Sequence, residues 1–433
     1  MVTNLPYFMR NSLIIITVAL ISVVFLQKNQ AQVLNDSIYN ETIKTIQLYR
    51  EGYELSYPVI ELNSADRLIF SFDDLTNKAG NYYYTIIHCN SDWEPSNIVF
   101  SEYADGFSDN RIMNFAFSTN TTVNYVHYKL TIPSEECRLK LSGNYIIKVY
   151  NDMDESKPLI TRKFYVYENL ATIDLNVIRA QIPYFMNKGH QADMKITLDI
   201  EDITDPYHQI KVNICQNFDF ANAHIKQTPV FVDNKVLQYN DLEMDYFKGL
   251  NEFRSFDMAE MKTASYRIIS KEFNGNYFLA NIETDESRAK KQFLFVEDMN
   301  GKYYIENKRG VNKDLDADYV MVRFKLAWPG APIDGNIYVY GGLTDWQCNV
   351  RNKMLYDPVQ KVYVLDLMLK QGFYNYYYAW KEKPDSPPDI AFLEGSHFET
   401  EDDYLVFVYY QFPDERFERL IGYTIGNSQN KKQ

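Results

Sequence analysis

The sequence predicts an all-β protein of tandem immunoglobulin-like β-sandwiches, and three observations carry that prediction. Short runs rich in β-branched and aromatic residues recur along the chain, among them Tyr82 to His88, Val123 to Ile132 and Asn144 to Tyr150. Turn-forming clusters separate them, as at Asn77 to Gly80, Ala104 to Asp109 and Asn151 to Asp154. Side chains alternate in polarity along Val123 to Leu130, the period of a strand, and no long stretch has a helical period. Tyr239 to Phe247 and Asp257 to Thr263 could each hold a helical turn or two.

The elements fall into an expected order. Arg10, the uncharged run Leu13 to Leu26 and the polar Gln27 to Gln32 have the three-part pattern of a secretory signal peptide. Leu13 to Leu26 is short of the roughly 20 residues that span a bilayer. Cleavage is expected after Ala31, with a retained anchor as the alternative. Residues 32–170 should form an N-terminal sandwich ending on the strand Leu159 to Tyr167. Residues 171–310 should form a middle β domain with a polar linker. Residues 311–433 should form a C-terminal sandwich, closed by Tyr404 to Phe412 and followed by a short polar tail.

Composition excludes several function classes. With 433 residues, room exists for about two to four domains. Glycine is scarce at 17, which argues against Gly-rich phosphate-binding loops. A net charge of −14 argues against binding nucleic acid or anionic lipid through the overall field. The unusual feature is 36 Tyr and 27 Phe, residue types favoured in strands and at interfaces.

No constellation points to catalysis. The six histidines form no HExxH or HxH, and CxxC, GxSxG and GxxxxGK[ST] are absent. His88 and Cys89 are neighbours in a strand, so they should face opposite sides and not share a ligand. Cys89 and Cys137 fall within one expected domain and could pair; the alternative is that all four cysteines are buried free thiols. In Gly249 to Asp257, Glu252 and Arg254 should share one strand face, either as a partner-contacting charge pair or as a structural ion pair. Trp346 and Trp380 are candidates for a glycan platform, against the alternative that they pack in the sandwich.

Several ordered strings carry a resemblance. Tyr82-Tyr83-Tyr84-Thr85-Ile86-Ile87-His88-Cys89-Asn90-Ser91-Asp92-Trp93 opens the series, and Glu102-Tyr103 with Gly106 follows. Then come Tyr125, His127 and Tyr128, the turn Ser142-Gly143-Asn144-Tyr145, and Thr161-Arg162 with Phe164. Asn251-Glu252-Phe253-Arg254 with Phe256-Asp257, and Ser396-His397 with Thr400-Glu401, complete it. In order and spacing these resemble the type IX secretion system plug protein family of Bacteroidota, over nearly the whole mature chain. They look like fold determinants more than an active site.

The resemblance implies a non-enzymatic periplasmic protein with no cofactor, metal or catalytic residue. Its implied partner is the large outer-membrane β-barrel translocon, whose periplasmic opening it would close sterically until cargo engages. A tyrosine-rich surface would supply adaptable contacts. Gly342, Thr344-Asp345-Trp346, Met354 and the run Leu367 to Tyr378 separately resemble early-set sandwiches beside starch- and glycogen-acting enzymes. Such a domain binds glycans or is scaffold only, and a glycan-binding extracytoplasmic protein is the alternative function.

Overall fold

Aromatic and β-branched alternation produces three β-sandwiches in the computed structural model, which describes residues 36–429 except 153, 202, 226 and 227. The expected signal peptide lies outside the described residues. In the first sandwich, one sheet runs Ile43–Arg50, Leu68–Asp74, Val126–Ile132, Phe115–Phe117. The other runs Ser37–Ile38, Pro158–Tyr167, Gly143–Asn151, Tyr82–Cys89, Asn110–Arg111, with Val59–Glu61 added parallel to Pro158–Tyr167. Phe70, Phe72, Tyr128, Tyr145, Ile147 and Phe164 fill the space between them. Phe72 stacks on Tyr128 with centroids 5.0 Å apart.

The turn before Tyr145 is fixed by two constraints. Gly143 has φ +150°, and a Cβ there would lie 2.4 Å from Nε2 of His88. Tyr145 OH then donates back to the Leu141 carbonyl at 2.7 Å, a tyrosine corner of the kind seen in immunoglobulin-like sandwiches. Tyr374 repeats this device in the third sandwich, donating to the Lys370 carbonyl four residues upstream.

The middle sandwich departs from the expected domain limits. Its first sheet joins Ala171–Arg179, Gly189–Leu198, Val236–Tyr239 and Phe231–Asp233, with Tyr246–Lys248 alongside. Its second sheet runs Asp219–His224, Ile210–Gln216, Asp403–Tyr410, Arg419–Asn427. The strand expected to close the C-terminal sandwich therefore pairs with Ile210–Gln216 of the middle one, Ile210 opposite Tyr410 and Gln216 opposite Tyr404. Tyr404, Val406 and Val408 lie in the middle core.

Residues 254–310, expected in the middle domain, belong instead to the third sandwich. Phe256, Met258, Ala280, Ile282 and Ile305 are part of its core. One sheet runs Ile268–Phe273, Phe278–Ile282, Tyr319–Ala327, Val362–Lys370, Leu355–Asp357. The other joins Arg254–Asp257, Gly372–Lys381 and Tyr303–Ile305, with Asn336–Tyr340 also paired to Gly372–Lys381. Tyr303–Ile305, within the stretch expected to be a polar linker, is thus a strand. The third sandwich is inserted into the middle one, between Lys248 and Asp403. The helical turns lie elsewhere than expected, at Phe100–Tyr103, Pro206–Gln209, Lys313–Asp316 and Ala391–Glu394.

A chain ending at Thr400 tests this topology. It removes Asp403–Tyr410 and leaves Ile210–Gln216 without one neighbour and two cores open. The expected outcome is loss of cooperative unfolding by the middle sandwich, read by circular dichroism and calorimetry. Independent tandem domains would instead keep the middle transition intact.

Candidate functional site

The polar and aromatic residues that the motifs single out divide between the junctions that join the sandwiches and supports inside single sandwiches. The first junction is built by strand alternation. On Asp403–Tyr410, Tyr404, Val406 and Val408 face the middle core, so Leu405, Phe407 and Tyr409 face the first sandwich. Tyr165 stacks on Phe407 at 4.3 Å, and Trp93 meets Tyr165 edge-on at 5.2 Å. Asn144 accepts from Tyr409 OH at 2.9 Å while its amide donates to the Asn90 carbonyl. Tyr57 OH donates to Asp403 at 3.0 Å.

The second junction joins the first and third sandwiches through buried charge. Asp73 accepts from Lys370 Nζ, His127 Nδ1 and Tyr319 OH, each at 2.7 Å. Lys370 also donates to the Asp314 carbonyl and sits 4.2 Å from the Tyr125 ring centre. Tyr125 OH donates to the Ala317 carbonyl at 2.9 Å. Burial by itself would raise the Asp73 carboxyl; Lys370 and His127 beside it overcome this and hold it below its usual range. Arg162 reaches Asp345 at 2.7 Å, and the Asp318 carboxylate accepts from the Thr122 and Val123 amides.

The third junction closes the middle sandwich on the inserted one. Phe253 stacks on Tyr377 at 3.7 Å, Tyr340 OH donates to Asp219 at 2.8 Å, and Asn217 donates to Asp402 at 2.6 Å. His397 lies here, its amide bonded to the Leu250 carbonyl and its ring beside Phe293. Glu252 accepts from the Glu401 amide, and Asn251 donates to the Glu394 carbonyl.

Other motif residues are internal supports. His88 donates from Nε2 to the Ser142 carbonyl at 3.1 Å and lies 2.8 Å from Ser96 Oγ. Burial drives its pKa down to about 4. Tyr103 OH donates to the Ile86 carbonyl, Gly106 (φ +116°) packs against the Glu136 carbonyl, and Tyr84 and Tyr128 lie in the first core. Asp257 accepts from the Ala259 amide and pairs with Lys308.

Arg254 departs from the expected pairing with Glu252. Its guanidinium forks onto Glu394 at 2.9 Å and Asp285 at 2.6 Å, with its side chain only 5% exposed. It is therefore sealed inside the third sandwich and offers no charge to a partner. Burial alone would raise the Glu394 carboxyl, but Arg254 and Arg288 hold it at about 2. Sequence spacing could not find Glu394 or Asp285, because the contact joins residues far apart in the chain.

Packing decides between the alternatives at two further pairs of residues. Cys89 and Cys137 are free: Cys89 lies in the cluster between the first two sandwiches, and Cys137, on a separate two-stranded sheet, lies in the first core. Trp346 and Trp380 do not form one platform. Trp346 packs with Tyr340 and Tyr377 on one face of the Asn336–Tyr340 and Gly372–Lys381 pair. Trp380 packs with the core on the other face and stacks on Phe392 at 4.5 Å. Among the described residues, no group of three or more His, Cys, Asp or Glu could hold a metal ion.

Comparison with known proteins adds to this geometry. Residues 43–168 match the model of the type 9 secretion system plug protein 1st domain. The crystal structure of a hypothetical protein from Parabacteroides merdae ATCC 43184 superposes with a TM-score of 0.87 at 29% identity, covering 90% of this chain and 98% of that one. The BSP domain of a biofilm associated protein reaches a TM-score of only 0.19 at 8% identity, over 94% of this chain and 60% of that one. No curated protein matches.

Two predictions follow from the buried groups. Asp73→Asn leaves the Lys370 ammonium buried without its counter-ion, and should cost about 3–5 kcal/mol in urea unfolding. The second concerns pH. His88 and His190 both have folded-state pKa values of about 4, against 6.5 for the free group, because burial disfavours the charged ring. His190 is held neutral between Tyr404 OH and the Phe398 carbonyl, each at 2.8 Å. Between those values the unfolded chain binds the extra proton, so stability is full above pH 6.5 and falls as pH drops toward 4. Each histidine should remove up to about 1.4 kcal/mol per pH unit. Unfolding titrations at several pH values check the slope, and His88→Gln should reduce it.

Proposed function

We propose, from the match of residues 43–168 to the type 9 secretion system plug protein 1st domain, that the chain serves type IX secretion as a non-enzymatic plug. It would sit in the periplasm against the outer-membrane translocon barrel and close its periplasmic opening until cargo engages. The observation that carries this reading is the match of the first sandwich to that domain.

The physical build supports it. A steric plug needs stiffness rather than chemistry. Here three sandwiches are tied by a continuous chain path, aromatic stacking and buried ion pairs, so bending one against another would expose apolar surface and uncompensated charge. A plug that must leave needs a moderate, wet interface, and a chain with a net charge of −14 suits that better than a broad apolar face would.

Deletion in the native bacterium tests the reading. Large antibiotics excluded by an intact outer membrane should enter the deletion strain, and entry should vanish when the barrel is deleted as well. Entry that persists without the barrel, or no entry at all, rejects the plug. Affinity purification through a C-terminal tag should bring down the barrel in near-equal amount.

A further inference from the structure

A cavity of about 390 Å³ lies between the first and third sandwiches. That is within the usual range for small-ligand sites, and far more than a single water needs. Ile43, Ile46, Leu343, Leu367 and Leu369 form the apolar part of its lining, its floor. Its rim is polar and carries Lys44 and Arg351.

Lys44 and Arg351 bring two positive charges to one cavity of an acidic chain. Acids outnumber bases 58 to 44, and three basic groups at these junctions already have carboxylate partners. Arg162 has Asp345, Lys370 has Asp73, and Lys313 has Glu54. Among the described residues, neither Lys44 nor Arg351 forms an ion pair. Arg351 donates from Nη1 to the Ile38 carbonyl, which leaves most of its fork free. The acids nearby are already engaged: Asp73, cross-strand from Lys44, holds Lys370, His127 and Tyr319, and Asp345 holds Arg162. Burial lowers the Lys44 pKa, the like charge of Arg351 adds to this, and Glu41 opposes it more weakly.

We propose that this cavity binds a carboxylate on an apolar body, with Lys44 and Arg351 taking the carboxylate and the isoleucine–leucine floor taking the body. Arg presents a planar fork that matches a carboxylate bidentately, and Lys adds a point charge. A bound anion would relieve the repulsion between the two cations. It would also bridge the first sandwich, which supplies Lys44, to the third, which supplies Arg351. This site is separate from the plug reading and stands or falls without it.

A free short-chain acid and the C-terminal residue of a peptide share this chemistry. Isothermal titration of the mature chain with octanoate, with N-acetyl-valyl-leucine and with the amide of that dipeptide separates them. Saturable binding by octanoate alone assigns a free acid, and by the dipeptide acid alone a chain terminus; binding by both supports the shared chemistry. The amide should bind at least about tenfold more weakly than the acid. Lys44→Met and Arg351→Gln should each weaken binding about tenfold, with unchanged melting temperature for the exposed Arg351 variant. Should Lys44→Met fail to fold, Arg351→Gln carries the test alone. No saturable binding by either acid, equal binding of acid and amide, or acid binding indifferent to the folded variants overturns the proposal.

Discussion

Asp403–Tyr410 is buried along its whole length, and the rest of the molecule is arranged around it. One face of this strand completes the core of the middle sandwich and the other forms the joint with the first. A strand with two buried faces cannot shift register by one residue without exchanging its two apolar sets between differently shaped cores. Because the chain must leave the middle sandwich and return for this strand, the third sandwich is held at both ends. The three units are therefore one mechanical body, and their relative placement follows from strand pairing rather than from linkers.

Charge at the junctions does a different job from apolar packing. Apolar contact is tolerant of small slides, whereas a buried carboxylate is satisfied only where its donors meet it. Asp73 collects donors from both the first and third sandwiches, so it specifies one relative position. Replacing such a cluster by well-packed apolar groups could match its stability, so its contribution is better described as position than as strength. Arg254 does the same within the third sandwich, joining Arg254–Asp257 to the turn that carries Glu394 and the segment that carries Asp285.

The tyrosine content has an internal explanation. The largest fully buried side chains are all tyrosines. Many deliver a hydroxyl to a carbonyl or carboxylate across a boundary, as Tyr125, Tyr319, Tyr340 and Tyr409 do. A phenol is large enough to fill a core and polar enough to end in a hydrogen bond, which suits layered sheets whose junctions are both apolar and polar. The expected role of tyrosine as an adaptable surface contact therefore does not account for most of this enrichment.

The sequence by itself determined the all-β class, because period-two alternation and turn chemistry are local properties. Its ordered motifs also pointed to the plug family, and the match over residues 43–168 agrees with them. The turn at Gly143 was legible for the same reason, since a left-handed glycine before a corner tyrosine is a local requirement. What only the tertiary structure decided is partnership. Tyr404 to Phe412 reads as a doubly apolar strand whichever sandwich it enters, and nothing local says that its neighbour is Ile210–Gln216. The same holds for Arg254 with Glu394, for Cys89 and Cys137 in different sheets and different apolar clusters, and for Trp346 and Trp380 packed against opposite faces of one strand pair. Alternation fixes which side chains share a face; only long-range pairing fixes what that face meets.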